Sequence, residues 1–102
     1  MPKEINVQEL KQKLDADHSF LFVDVREPDE YEAYNLGATL IPLGTIPERL
    51  DEFGDKSSEI IVHCKSGGRS QRAQQYLEAQ GFKNVINVSG GATAYRKAYG
   101  QR

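Results

Sequence analysis

The stretch Ile60-Ile61-Val62-His63-Cys64-Lys65-Ser66-Gly67-Gly68-Arg69-Ser70 decides how this chain reads. Ile60 to Val62 are apolar on both parities, so the strand they begin, running through His63, has no face left for water. That pattern belongs to a buried strand of a parallel sheet, covered on both sides. The residues after it make a short loop with two consecutive glycines. A helix follows from about Arg69 to about Gln80, where Gly81 is well placed to end it in a left-handed conformation.

The same signals recur outward from this unit. Phe20 to Val25 is a second run that is apolar on both parities, and Val85-Ile86-Asn87-Val88 is a third core strand. Ile5 lies in a short extended start. Asn6 and Glu9 form an N-x-x-E capping pattern for a helix to about Asp15, with Leu10 and Leu14 on one face. Pro28 suits the first turn of a helix through about Tyr34, because its missing N–H would be unpaired there in any case. Gly37 turns the chain, Leu40-Ile41 is extended and Pro42 ends it. Thr45 with Glu48 predicts a capped helix to about Phe53, stopped by Gly54. Ser89-Gly90-Gly91 leads into a last helix through about Tyr99. Strands separated by helices require crossover connections. The expected fold is therefore a three-layer α/β domain over residues 1–102, with a central, mainly parallel sheet and helices on both faces. Ligands of such sheets bind beyond the carboxyl ends of the strands, which here are Asp24, His63-Cys64 and Ser89.

Composition excludes other classes. A chain of 102 residues, 38% hydrophobic and 27% charged, fits one domain. Its apolar runs fall far short of the ~20 residues that cross a bilayer. The polar start Met1-Pro2-Lys3-Glu4 has no apolar core of a secretory signal, so a cytoplasmic location is expected. Thirteen basic against fifteen acidic residues give a net charge of −2, which argues against a nucleic-acid or membrane-surface partner. The acidic residues gather in Glu27 to Glu32 and Glu48 to Asp55, whereas Lys65, Arg69 and Arg72 surround the lone cysteine in a stretch without a carboxylate. A single cysteine excludes an internal disulfide, a CxxC pair and a multi-cysteine zinc site.

Cys64 ends a buried strand and enters a loop whose glycines let several backbone N–H groups turn inward as an anion-binding nest. The following helix adds its free N–H groups and the positive end of its dipole. Both stabilise a thiolate, so Cys64 is expected to be a nucleophile at neutral pH. The Arg69 guanidinium, folded over the loop mouth, can bind two oxygens of an anionic substrate. Ser70 is expected to cap the helix and steady the loop. Lys65 and Ser66 face solvent, placed to read the substrate or a partner. His63 points to the opposite face from Cys64, as neighbours on a strand do, and is expected to pack beneath the loop. The spacing C-x4-R-S is one residue shorter than the C-x5-R cradle of cysteine phosphatases and arsenate reductases, and a smaller ring suits a single sulfur carried on the cysteine.

At these residues the chain resembles the rhodanese homology domain. The matching motifs are Asp24-Val25-Arg26-Glu27-Pro28 with Glu30-Tyr31, Gly37-Ala38 to Ile41-Pro42-Leu43, Cys64 to Ser70, and Val88-Ser89-Gly90-Gly91. Two positions depart from the family pattern: Tyr34-Asn35-Leu36 stands where His-Ile-Pro is frequent, and Tyr95 where a tryptophan is frequent. The resemblance implies a sulfurtransferase of the stand-alone, single-domain kind. Cys64 would carry a persulfide, and Lys65, Ser66, Gly67, Gly68, Arg69 and Ser70 would form its cradle and substrate-binding set. Asp24 and Arg26 would be structural. The expected reaction moves sulfur from a small anionic donor such as thiosulfate to cyanide, a thiol or a protein acceptor, with no metal or organic cofactor. A sulfur-relay carrier using the same residues is the alternative. A monomer or weak dimer is expected.

Overall fold

The computed structural model describes residues 3–16 and 19–102; the opening Met1-Pro2 lies outside them. The elements are β1 (Lys3–Ile5), α1 (Val7–Asp15), β2 (Leu21–Asp24), α2 (Pro28–Ala33), β3 (Thr39–Leu40), a 3₁₀ segment (Leu43–Phe53), β4 (Ile60–His63), α3 (Gly68–Ala79), β5 (Val85–Val88) and α4 (Gly91–Tyr99). Among the described residues five strands form one sheet in the order β1-β5-β4-β2-β3. Every pairing is parallel, with Val23 opposite Val62 and Ile60 opposite Val85.

The strand side chains divide by parity between two cores. Val23, Val25, Ile60, Val62, Cys64 and Val85 meet Ala73 and Leu77 of α3 and Ile46 and Phe53 of the 3₁₀ segment. Ile61, Ile86 and Val88 point the other way, to Val7, Leu10 and Leu14 of α1 and Ala92 and Tyr95 of α4. The layers are thus the three the apolar patterns require. Asn6 caps α1 as its sequence predicts: its side chain accepts from Glu9 N at 2.8 Å, and Glu9 Oε1 accepts from Asn6 N at 2.9 Å.

The segment after Pro42 departs from expectation. It begins at Leu43, and Thr45 does not cap it: the Thr45 N–H and hydroxyl both donate back to Pro42 O, at 2.8 Å each. The i to i+3 bond is the 3₁₀ pattern, and Pro47 inside the segment has no N–H for an α-helical ladder. A non-helical Arg49, at φ −125°, then kinks the segment.

Topology fixes where a ligand can approach. After β2 the chain leaves towards β3 at one edge; after β4 it leaves towards β5 on the opposite side. The two connections diverge from adjacent strand ends, and a crevice opens between them. The α2 segment and the cysteine loop face each other across it.

Candidate active site

Cys64 follows β4 directly and is 1% exposed, so its sulfur lies in the floor of the loop rather than at the lip. Sγ accepts the Gly67 N–H at 3.1 Å and the Ser70 hydroxyl at 3.3 Å. Burial pushes the thiol pKa up. The Ser70 hydroxyl and the amides of Ser70, Gly67 and Ser66 outweigh it, and the net direction is down. Ser70 therefore has a different task from the expected cap. Gly67 holds the cap position of α3, while Ser70 sits inside the first turn with its hydroxyl shared between Sγ and Gly67 O, the latter at 3.2 Å.

Amides that converge on one atom leave their carbonyls facing outward, and buried carbonyls need donors. The first turn of α4 supplies them. Ala92 N donates to Cys64 O at 2.8 Å and Thr93 N to Lys65 O at 2.9 Å, and Gly67 O takes the Gln71 N–H at 3.0 Å. This docking brings the α4 backbone against the loop backbone. A Cβ on Gly91, at φ +55°, would run into Cys64 O and into Lys65 C and O at 2.8 Å. Of the two loop glycines only Gly67, at φ +114°, needs its freedom; Gly68 is helical, and a Cβ there would meet nothing within 4 Å.

Arg69 lies beside the loop, but its fork is engaged. Nη1 donates to Glu30 Oε1 at 2.7 Å and Nη2 to Glu30 Oε2 at 2.9 Å. Glu30 is the residue the loop motif could not reveal, since it is 39 positions away and comes from α2 across the crevice. Its only sequence-level signal is its place in the acidic cluster and in the Glu30-Tyr31 motif. Arg69 chiefly, and the Glu27 N–H, hold the Glu30 carboxyl down to about 2. Lys65 and Ser66 are exposed, as expected. Lys65 lines a crevice of about 220 Å³ together with Glu30, Tyr34, Thr93 and Arg96.

The rim beside the loop is built on a buried ion pair. Asp24 is 0% and Arg26 4% exposed. Arg26 Nη2 donates to Asp24 Oδ2 at 2.8 Å and to Tyr34 O at 2.6 Å, and Arg26 Nε reaches Asp24 Oδ1 at 3.0 Å. His63 is buried on the face opposite Cys64, its ring 5.1 Å from that of Phe22. Burial lowers its pKa, and Nε2 lies 3.6 Å from Asp24 Oδ2 without a hydrogen-bond partner among the described residues. It packs beneath the loop, as its parity predicts. Ser89 does not enter the loop: its N–H and hydroxyl donate to Ile5 O at 2.8 and 3.2 Å, tying β5 to β1.

A five-stranded parallel sheet with a lone cysteine in an amide nest at its switch point defines a class. The sequence pattern of the Rhodanese-like domain matches residues 6–98, and the chain belongs to that family of sulfurtransferases and sulfur carriers. Its relatives narrow the setting. YtwF of Bacillus subtilis, named a candidate sulfurtransferase, is 43% identical over 94 residues, covering 91% of this chain and 89% of YtwF. YrkF of the same organism, named a candidate sulfur carrier protein, is 44% identical over 86 residues, 83% of this chain. This chain spans about half of YrkF, 46% of its length. The crystal structure of a rhodanese-like domain protein from Staphylococcus aureus superposes with a TM-score of 0.84 at 38% identity, covering 91% of this chain and 90% of that one. No helix among the described residues is long and apolar enough to cross a membrane.

Proposed function

We propose that this chain transfers sulfane sulfur through a persulfide on Cys64. The Cys64 thiolate attacks the outer sulfur of a donor, the donor's bond to that sulfur breaks, and its electron pair leaves with sulfite when the donor is thiosulfate. The new Cys64–S–S⁻ group is stabilised by the amides of Ser66, Gly67 and Ser70. Cyanide, a thiol or a protein thiolate then attacks the outer sulfur and restores the Cys64 thiolate. The group carried is the sulfur itself, so the cycle balances without a cofactor. Within this reading Lys65, Ser66, Gly67, Gly68, Arg69 and Ser70 form the binding shell.

The observation that carries the reading is a buried sulfur on which the Gly67 N–H and the Ser70 hydroxyl converge, at 3.1 and 3.3 Å, contacts that favour the thiolate. A packing cysteine does not account for the arrangement, because a packing thiol needs no converging donors. Against phosphoryl chemistry stands the C-x4-R loop, one residue shorter than the phosphatase cradle, with the charge of Arg69 already paired to Glu30. The test is thiocyanate formation from thiosulfate and cyanide: the wild-type protein produces it and Cys64→Ser does not. Phosphate-ester hydrolysis in place of thiocyanate formation would overturn the reading.

The kinship with YrkF favours a second reading, in which the same persulfide is handed between proteins rather than turned over on small molecules. Lys65 and Arg96 beside the loop then offer cationic contacts to a partner.

A further inference from the structure

The Arg69–Glu30 pair bears on which donors the site accepts, an inference that rests on the persulfide reading above. Nη1 and Nη2 of Arg69 each donate to one oxygen of a single carboxylate, at 2.7 and 2.9 Å, so the charge of the guanidinium is already paired. That carboxylate is anchored from behind, because Glu30 Oε1 also accepts the Glu27 N–H at 3.0 Å in the capping box of α2. The pair is near the sulfur: Arg69 sits in the first turn of α3, immediately before Ser70, whose hydroxyl reaches Cys64 Sγ at 3.3 Å. It is also reachable, with side-chain exposures of 31% for Arg69 and 26% for Glu30.

We infer that Glu30 is a specificity-determining residue that biases this site against dianionic donors such as thiosulfate and towards alkyl persulfides, R–S–SH. A dianion entering the loop mouth finds the cation it would bind already compensated, and must displace an anchored carboxylate or sit against it. An alkyl persulfide has no sulfonate to accommodate. Its terminal sulfur needs only the amide nest: the Cys64 thiolate attacks that sulfur, the donor S–S bond breaks, and RS⁻ leaves with the electron pair while Cys64–S–SH forms. Glu30 acts here through Arg69 and touches no reacting atom.

The experiment compares kcat/KM for thiosulfate with kcat/KM for 2-hydroxyethyl persulfide, a donor with no charged group on its carbon end. In Glu30→Gln the amide oxygen can still accept the Glu27 N–H, but the competing charge is gone. The ratio of thiosulfate to persulfide efficiency should rise roughly tenfold, mostly through the thiosulfate KM, about the change expected for freeing one charge-assisted bidentate contact. In Arg69→Gln the same Glu30→Gln replacement should leave the ratio unmoved, which a merely structural role for Glu30 would not produce. An unchanged or lower ratio in Glu30→Gln overturns the inference. Should that variant fail to fold, Glu30→Asp, too short to span both Nη atoms from its anchored position, must raise the ratio in the same direction, and no rise overturns the inference equally. If the wild-type protein takes sulfur from neither donor, the persulfide reading itself has failed.

Discussion

Two bidentate arginine–carboxylate pairs stand on one rim of this molecule, Arg26 holding Asp24 through Nε and Nη2 and Arg69 holding Glu30 through Nη1 and Nη2. They differ in burial and in reach along the chain. Arg26–Asp24 joins residues two apart at the end of β2, with side-chain exposures of 5% and 0%. Arg69–Glu30 joins residues 39 apart across the crevice, at 31% and 26%. The first pair is locked: Arg26 is further bonded to Tyr34 O, and Asp24 accepts the Arg26 N–H at 3.0 Å. The second is partly exposed, and Arg69 immediately precedes Ser70, whose hydroxyl donates to the Cys64 sulfur. Burial makes an ion pair a structural commitment, because a lone charge left inside is very unfavourable; partial exposure makes it something a ligand can compete with.

The largest effect expected from breaking this contrast is at the buried pair. Arg26→Leu leaves the Asp24 charge unpaired in the interior and should cost about 3–5 kcal/mol of unfolding free energy in urea titrations. A cost comparable to that of the exposed pair would erase the distinction. Next is Gly91→Ala, which forces a Cβ into the Cys64 and Lys65 carbonyls at a positive φ. It should cost about 1–3 kcal/mol and slow iodoacetamide alkylation of Cys64, since the loop must move to make room.

The exposed pair should be far weaker. Arg69→Gln is expected to lower stability by no more than about 1 kcal/mol. Its pH signature has a definite sign. The Glu30 carboxyl is held at about 2 in the folded protein against an ordinary 4.5, so its stabilisation is fully present above 4.5 and is lost as pH falls towards 2. The stability difference between the wild type and Glu30→Gln should shrink over that window, and a difference that is flat with pH would contradict the pairing. Smallest of all is Gly68→Ala. With open space and a helical φ, it should be neutral or stabilising by about 0.4–1 kcal/mol, by restricting the unfolded chain.

The same contrast explains what the sequence discloses. The core strands are legible because Phe20 to Val25, Ile60 to Val62 and Val85 to Val88 have no polar face, and that alone implies cover on both sides. The Asn6–Glu9 box and Gly81 mark helix ends through short-range hydrogen bonds whose partners lie within a turn. The cysteine loop is legible for the same reason, since its donors are its own next six residues. What escapes is whatever depends on the tertiary path. Glu30 meets Arg69 only because two connections diverge from β2 and β4, and no spacing in the chain encodes that encounter. The Ser70 hydroxyl turns to sulfur and not to a helix amide because Cys64 lies within its reach. The two adjacent glycines look equivalent until the backbone assigns the left-handed position to Gly67 alone. Thr45 reads as a cap, but the segment already begins at Leu43, and the Thr45 N–H and hydroxyl turn back to Pro42 O in a 3₁₀ start.

The central claim, that this loop makes Cys64 a sulfur carrier, is most directly tested by intact-mass measurement of the protein after incubation with thiosulfate or with an alkyl persulfide. One added sulfur atom, removed by dithiothreitol and absent in Cys64→Ser, is the predicted result. A wild-type protein whose mass stays unchanged with both donors, or an adduct that persists in Cys64→Ser, would contradict it.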